Sequence, residues 1–262
     1  MFINESPIKR KIRQASLFLF NKLENNGNSD FYTNGEKRFI DHLFKTFTAT
    51  PDQQKILFDI GANIGNYTEM MMRKAKNAGI DAEFHLFEPT QSCHDILSEK
   101  FGNNNTVVLN PFGVSDRAGT TTIYYDKEKS GFASLYRRNL DSYRIKMDRS
   151  EEITIKRLDT YIQEKNIEHI HFVKMDIEGH ELKAMEGFGN YMNGNFIDYI
   201  QFEYGGANLD SHTCLMDIYQ FLEERGFNIA KIMPKGLVIR KYQPWMDNFN
   251  YANYVAVSTR IA

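Results

Sequence analysis

Along the chain, apolar positions gather in short runs, and between the runs they recur every three to four residues. The runs ILFDI (56–60), EFHLFE (83–88), TVVLNPFGV (106–114), HFVKMDI (171–177) and DYIQFEY (198–204) are short and rich in β-branched and aromatic residues, as strands are. Residues 67–78, 91–101, 180–187 and 212–225 carry helical spacing. Strands alternating with helices predict a mostly parallel sheet covered on both faces. After residue 225 the alternation stops. FNIAKIM, KGLVIRKY and NYVAVST follow one another with no helix between them, as an antiparallel edge would. The pattern predicts a doubly wound, mostly parallel α/β sheet with an antiparallel C-terminal edge.

Two helices are expected ahead of the first strand, at 7–24 and 34–48. The first sets Ile8, Ile12, Leu19 and Leu23 near one face, with Lys9, Arg10, Lys11 and Arg13 off it. It reads as a packing or homodimer helix with a solvated basic side; a membrane-surface helix is the alternative. Residues 1–50 are thus expected to form a helical extension and 51–262 the main domain. One segment breaks the alternation: KEKSGFASLYRRNLDSYRIKMDRS (127–150), with Arg137, Arg138, Arg144, Lys146 and Arg149. It reads as a solvated loop and helix, or as a lid.

Composition excludes more than it selects. A chain of 262 residues supports one substantial core. Hydrophobic content of 42% and charged content of 25% are ordinary for a globular domain. A net charge of −2 gives no electrostatic case for binding nucleic acid. Cys93 and Cys214 are far apart and lack metal-type spacing, so they read as free thiols in a reducing compartment. The patch ASLFLF is short, lacks a small-residue cleavage site and returns at once to charge; no run approaches a membrane span. The expected location is cytoplasmic.

Candidate chemistry lies at the strand ends, because open α/β sheets bind ligands beyond their carboxyl edges. FDIGANIGNYT (58–68) follows the first strand and spaces its glycines as Gly61-x-x-x-Gly65, with Asn63 between. A dinucleotide fold needs G-x-G-x-x-G to seat a pyrophosphate at the helix N-terminus. Here Asp59, two residues ahead of Gly61, would repel a pyrophosphate and suits a cation. S-adenosylmethionine carries an ammonium and a sulfonium. Glu88 fits the ribose hydroxyls of either nucleotide. The rival readings are an NAD(P)-dependent oxidoreductase on the same fold, and a non-catalytic carbohydrate-binding protein whose aromatic tail KYQPWMDNFNYANY (241–254) stacks on sugar rings.

FDIGANIGNYT resembles the first motif of class I S-adenosylmethionine-dependent methyltransferases, with Asn63 in place of the middle glycine. Further pieces follow the order and spacing of the FkbM family: NGE (34–36), FEPT (87–90), VSDRAGTTTIYY (114–125), GFASL (131–135), RLDTYI (157–162), FVKMDIEGHEL (172–182) and IQFEY (200–204). From Asn34 to Val257 the chain resembles that family. The resemblance implies a Rossmann-like, seven-stranded sheet and S-adenosylmethionine as cofactor. The implied acceptor is a hydroxyl of a sugar, glycan or secondary metabolite. It also implies Asp59, Gly61, Ala62, Asn63 and Gly65 around the methionine part, Glu88 on the ribose, and Pro89 and Val114 beside the adenine. Asp116 is a candidate for the adenine amino group, with a turn role as the alternative.

Methyl transfer to an alcohol needs the acceptor held in line and a group to take its proton. KMDIEGHE (174–181) supplies several candidates. Lys174 and Asp176 share a strand face by the two-residue period, and Glu178, His180 and Glu181 open the next helix. The expected catalytic set is Asp176 and Glu178, with Glu203 completing the acceptor pocket. Asp176 could instead hold the cofactor's amino group. Lys174 reads as a counter-ion, and His180 as a packed or solvated side chain. A Mg²⁺ ion on Asp176, Glu178 and Glu203 is a further option, but the spacing does not single it out and no metal ligand is assigned. The basic segment at 127–150 would suit an anionic acceptor.

Overall fold

The computed structural model describes residues 5–49 and 53–261. Helices α1 (Pro7–Leu23) and α2 (Glu36–Phe47) precede the first strand, β1 (Lys55–Ile60). Then α3 (Asn66–Ala78), β2 (Ala82–Phe87), α4 (Gln91–Phe101) and β3 (Val107–Asn110) alternate as the pattern predicts. The single strand expected at 106–114 is broken. Pro111 cannot donate to a ladder, and the chain leaves the main sheet there. It forms β4 (Gly113–Val114), β5 (Gly119–Tyr125) and β6 (Arg149–Lys156), a separate three-stranded sheet in the order β4-β6-β5. Alternation resumes with α5 (Leu158–Glu164), β7 (Ile170–Met175), α6 (Glu181–Glu186), β8 (Ile197–Tyr204), α7 (Ala207–Ser211) and α8 (Leu215–Glu223). The chain closes on β9 (Phe227–Met233), β10 (Gly236–Ile239) and β11 (Ala252–Ser258).

The main sheet runs β10-β9-β11-β8-β7-β1-β2-β3. Strands β8 to β3 pair in parallel, while β11 inserts antiparallel between β8 and β9. The sheet has eight strands rather than seven, because β10 folds back on β9 as a hairpin at the edge. From β1 the chain moves outward to β2 and β3, then returns to place β7 on the other side. That reversal is the switch point where a crevice opens.

Period-two alternation divides the core between the faces. Leu57 joins Phe39, Leu43, Met71 and Leu97 on the face covered by α2, α3 and α4. Phe58 and Ile60 join Leu158, Met185, Phe188 and Leu215 on the other. Each such buried side chain contributes about 1.5–3 kcal/mol.

The two N-terminal helices differ in their packing. Helix α2 buries Phe39, Ile40, Leu43, Phe44 and Phe47, and so belongs to the body rather than to an extension. Its start is wedged against β9: a Cβ on Gly35, at φ 106°, would lie 2.2 Å from the Met233 carbonyl oxygen. Helix α1, expected as a packing helix, buries no residue.

Candidate active site

Strand register sets a polar row across the crevice. Asp59 on β1 lies beside Lys174 on β7, and Lys174 beside Gln201 on β8. Lys174 is buried. Its Nζ pairs with Asp176 Oδ2 at 2.9 Å and sits 4.8 Å from the centre of the Tyr67 ring. Burial would discharge it, but Asp176 and Asp59 outweigh that and hold its pKa above the ordinary lysine value. Gln201 Nε2 donates to Glu36 Oε2 at 2.6 Å, Asn34 Nδ2 to Glu36 Oε1 at 2.6 Å, and the Tyr67 hydroxyl to Gln201 Oε1 at 2.8 Å.

The β1 turn brings its acids and amides to the same place. Asp59 Oδ2 accepts a hydrogen bond from the Thr68 hydroxyl at 2.6 Å, while its Oδ1 is buried without a protein partner among the described residues. Burial raises its pKa, with Lys174 opposing. Gly61, at φ 83°, lets the ends of β1 and β7 converge, since a Cβ there would be 2.1 Å from the Asp176 carbonyl oxygen. Asn63 takes a left-handed φ of 48°, a conformation asparagine tolerates better than most residues. Its N–H donates to Glu88 Oε2 at 2.9 Å. Glu88 Oε1 accepts from the Thr90 N–H at 2.9 Å and hydroxyl at 2.5 Å. Burial raises Glu88 against those bonds, and Oε2 keeps acceptor capacity.

Two cavities open here. One, of about 130 Å³, is lined by Glu88, Pro89, Val114, Ser130, Glu178 and His180 among others. The other, of about 580 Å³, is lined by Tyr32, Glu36, Asp59, Tyr67, Lys174 and Tyr251 among others. Gly61, Asn63, Lys129 and Asp176 line both. Of the residues expected at the site, Ala62 and Asp59 reach the wider cavity and Glu88, Pro89, Val114 and Glu178 the narrower. Gly65, Asp116 and Glu203 line neither. Gly65 packs at the start of α3 against Leu97 and Phe101. Asp116 sits in a turn, bonded to the Ser115 hydroxyl at 3.0 Å and paired with Lys183 at 3.5 Å. Glu203 is opposite Asn253 in the β8–β11 register, and Asn253 and Tyr251 form the wall there.

The KMDIEGHE turn divides its groups by role. Glu178, at φ 51°, pairs with Arg138, which also bonds Asp210 at 3.3 Å. Burial and then Asp176 raise Glu178, with Arg138 opposing. Burial, then Asp176, Glu178 and Glu181, push Glu203 well up. His180 Nε2 meets Ser115 Oγ at 3.0 Å and its Nδ1 meets the Tyr136 hydroxyl at 2.9 Å; burial lowers its pKa to about 4. The imidazole is a neutral packing group near pH 7. The 127–150 segment lies against the site: Asn63 Nδ2 donates to the Ser130 carbonyl at 3.3 Å, and Ser134 Oγ to the Glu178 carbonyl at 2.8 Å. Arg138, expected to face an acceptor, is instead engaged by Glu178 and Asp210.

Tyr67, Thr68, Tyr251 and Asn253 escaped the sequence reading. The first two end the FDIGANIGNYT motif, which was the available signal. The last two lie in the aromatic tail read as sugar-stacking; Trp245 from that tail meets the Phe20 ring.

Among the described residues, the side chains that gather to metal-ligand spacing are His169, His171 and Asp198, at the starting edge of β7 and β8. The Ile56 N–H donates to His171 Nδ1 at 3.1 Å, which leaves the ring proton on Nε2, and burial lowers this histidine to about 4. Asp198 is taken by His169 at 3.0 Å and Arg260 at 2.5 Å. Asp198, the carboxylate of this cluster, is thus already engaged within the protein.

A doubly wound sheet with acids at the ends of β1, β2 and β7 around its switch point has the class I methyltransferase fold. Residues 59–229 match the family model of the methyltransferase FkbM domain, and the chain belongs to that family. It is 27% identical over 175 residues to methyltransferase sdnD of Sordaria araneosa, an alignment covering 57% of this chain and 65% of that protein. It is 26% identical over 150 residues to the hexuronic acid methyltransferase AglP of Haloferax volcanii, covering 56% and 55%. The chain therefore spans under two thirds of either relative. An FkbM methyltransferase structure from Methylobacillus flagellatus superposes with a TM-score of 0.48 at 16% identity, over 77% of this chain and 43% of that one.

Proposed function

We propose that the protein is an S-adenosylmethionine-dependent methyltransferase acting on a hydroxyl of a sugar, glycan or secondary metabolite. The observation that carries this reading is Asp176, which lines both cavities and whose side chain is 42% exposed. The residues fit the cofactor. The unpartnered Asp59 Oδ1 suits its ammonium, Glu88 Oε2 has capacity for a ribose hydroxyl, and Pro89 and Val114 give the narrower cavity apolar walls. When bound, S-adenosylmethionine supplies a methyl carbon already activated toward nucleophiles.

The chain's own task is to place an acceptor oxygen and take its proton. Lys174 fixes one oxygen of Asp176 and leaves the other for an acceptor hydroxyl. Glu178, held by Arg138, is the second carboxylate at that junction. Tyr32, Tyr67 and Tyr251 give the wider cavity the aromatic surface on which a sugar ring packs. Ser130 and Lys129 complete the wall of the narrower cavity beside the junction. The test is a screen of nucleotide-sugars and glycans with radiolabelled S-adenosylmethionine, beside calorimetry with S-adenosylhomocysteine. Binding of NAD with no binding of either sulfur nucleotide would overturn the reading.

A further inference from the structure

Helix α1 spans 17 residues and none of them is buried. Ile8, Ile12, Leu17, Phe18, Leu19 and Leu23 are each more than half exposed. On a helix of about 3.6 residues per turn, Ile8, Ile12, Ala15, Leu19 and Leu23 fall in one stripe. Lys11 and Lys22 flank it on one side, Lys9 and Arg13 on the other. The helix contains no Asp or Glu, although the whole chain has a net charge of −2. Glu5, just ahead of it, pairs with Arg13 at 2.6 Å. Anchoring is confined to the C-terminal end, where the Phe20 ring meets Trp245 at 5.8 Å and Asn250 Nδ2 donates to Asn21 at 3.5 Å.

A helix meant for the core would bury its stripe, and α1 does not. A second copy related by a two-fold axis would bring two basic rims together. Low overall hydropathy, an apolar stripe and basic flanks instead match a helix lying flat in a lipid interface. We propose that α1 docks on an anionic bilayer, with the stripe among the acyl chains and Lys9, Lys11, Arg13 and Lys22 at the headgroup phosphates. It lies on the surface without crossing, for no described helix is long and apolar enough to span a membrane. The segment after α1 carries Ser29, Phe31 and Tyr32 into the wall of the wider cavity. Docking would thus hold that cavity close to the lipid, a consequence for the acceptor that rests on the proposed function; the lipid binding itself does not.

The full chain is sedimented with vesicles of phosphatidylcholine alone and of phosphatidylcholine mixed with phosphatidylglycerol. Binding should be at least about tenfold stronger to the mixed vesicles and should fall with added salt. Trp245 is the sole tryptophan, so its fluorescence should change on docking. Ile12→Glu with Leu19→Glu should abolish pelleting and leave thermal unfolding unchanged, because neither side chain is buried. Lys9→Glu with Lys11→Glu should weaken pelleting. Folded wild-type protein that ignores both vesicles overturns the proposal. A wild-type dimer that the apolar double variant breaks, without vesicle binding, assigns the stripe to a second copy and overturns it equally.

Discussion

Asp176 differs from its neighbours in exposure: 42% of its side chain is accessible, against 9% for the Lys174 that holds it. A carboxylate so placed is anchored at one oxygen and free at the other. Asp176→Asn keeps the shape and removes the proton acceptor, so kcat should fall about 100-fold or more, on the scale of a lost general base. Steady-state methylation of whichever acceptor the screen finds checks this; near-normal turnover would place the base elsewhere. Glu88→Ala should weaken S-adenosylhomocysteine by more than about tenfold, or about 1.4 kcal/mol, in calorimetry. Asp59, Glu88 and Asp176 are legible in the sequence because a strand end fixes where a side chain stands. Glu203 is not, since its strand end is equally clear but only the β11 pairing shows that Asn253 and Tyr251 stand at the cavity wall beside it. Arg138 fails for a related reason. A run of charges does not reveal that Glu178 and Asp210 will consume one member of it.

The turn from β7 into α6 holds two buried acids, Glu178 and Glu181, whose pKa values burial raises. Burial raises Glu181 from 4.5 to about 7 while its Oε1 accepts from the Ile177 and Gly179 N–H groups. Above pH 4.5 the unfolded chain releases a proton that the folded chain keeps until about 7. The native state therefore binds more protons in that window, and stability falls as pH rises through it. Glu178, raised by burial and Asp176, acts in the same direction. Glu181→Gln retains an oxygen for the two N–H groups, so it should flatten the decline in denaturation free energy between about pH 5 and about pH 7. An unchanged slope would mean that Glu181 carries no such proton. The segment joining β5 to β6 is tied to this turn through Arg138, Ser134 and Tyr136. Arg138→Leu should speed amide exchange across 127–140 by about tenfold or more and spare β1 to β3. Main-sheet strands and helices are legible because their periodicity is long and strong. The three-stranded sheet is not: β6 buries only Ile153 and Ile155, too few apolar positions to stand out from a loop.

Across the whole molecule, one sheet separates two cores, and the site occupies the point where strand order reverses. The division of the chain follows burial rather than sequence position. Both N-terminal helices are amphipathic, but amphipathicity cannot say what covers the apolar stripe. Helix α2 meets the sheet: Leu43 is 1% exposed among Phe39, Phe44 and Leu57. Helix α1 meets little beyond Trp245 and Asn250. Their removal should differ accordingly. Leu43→Ala would leave a cavity in a packed core and should cost about 2–5 kcal/mol. Deleting residues 1–19 removes far more chain yet, among the described residues 5–19, no buried side chain, and should change stability by no more than about 0.5 kcal/mol. Denaturant titration of the two variants reads both numbers against wild type. If the deletion proved as costly as Leu43→Ala, α1 would be part of the folded body, and its exposed stripe could not be available to a lipid surface.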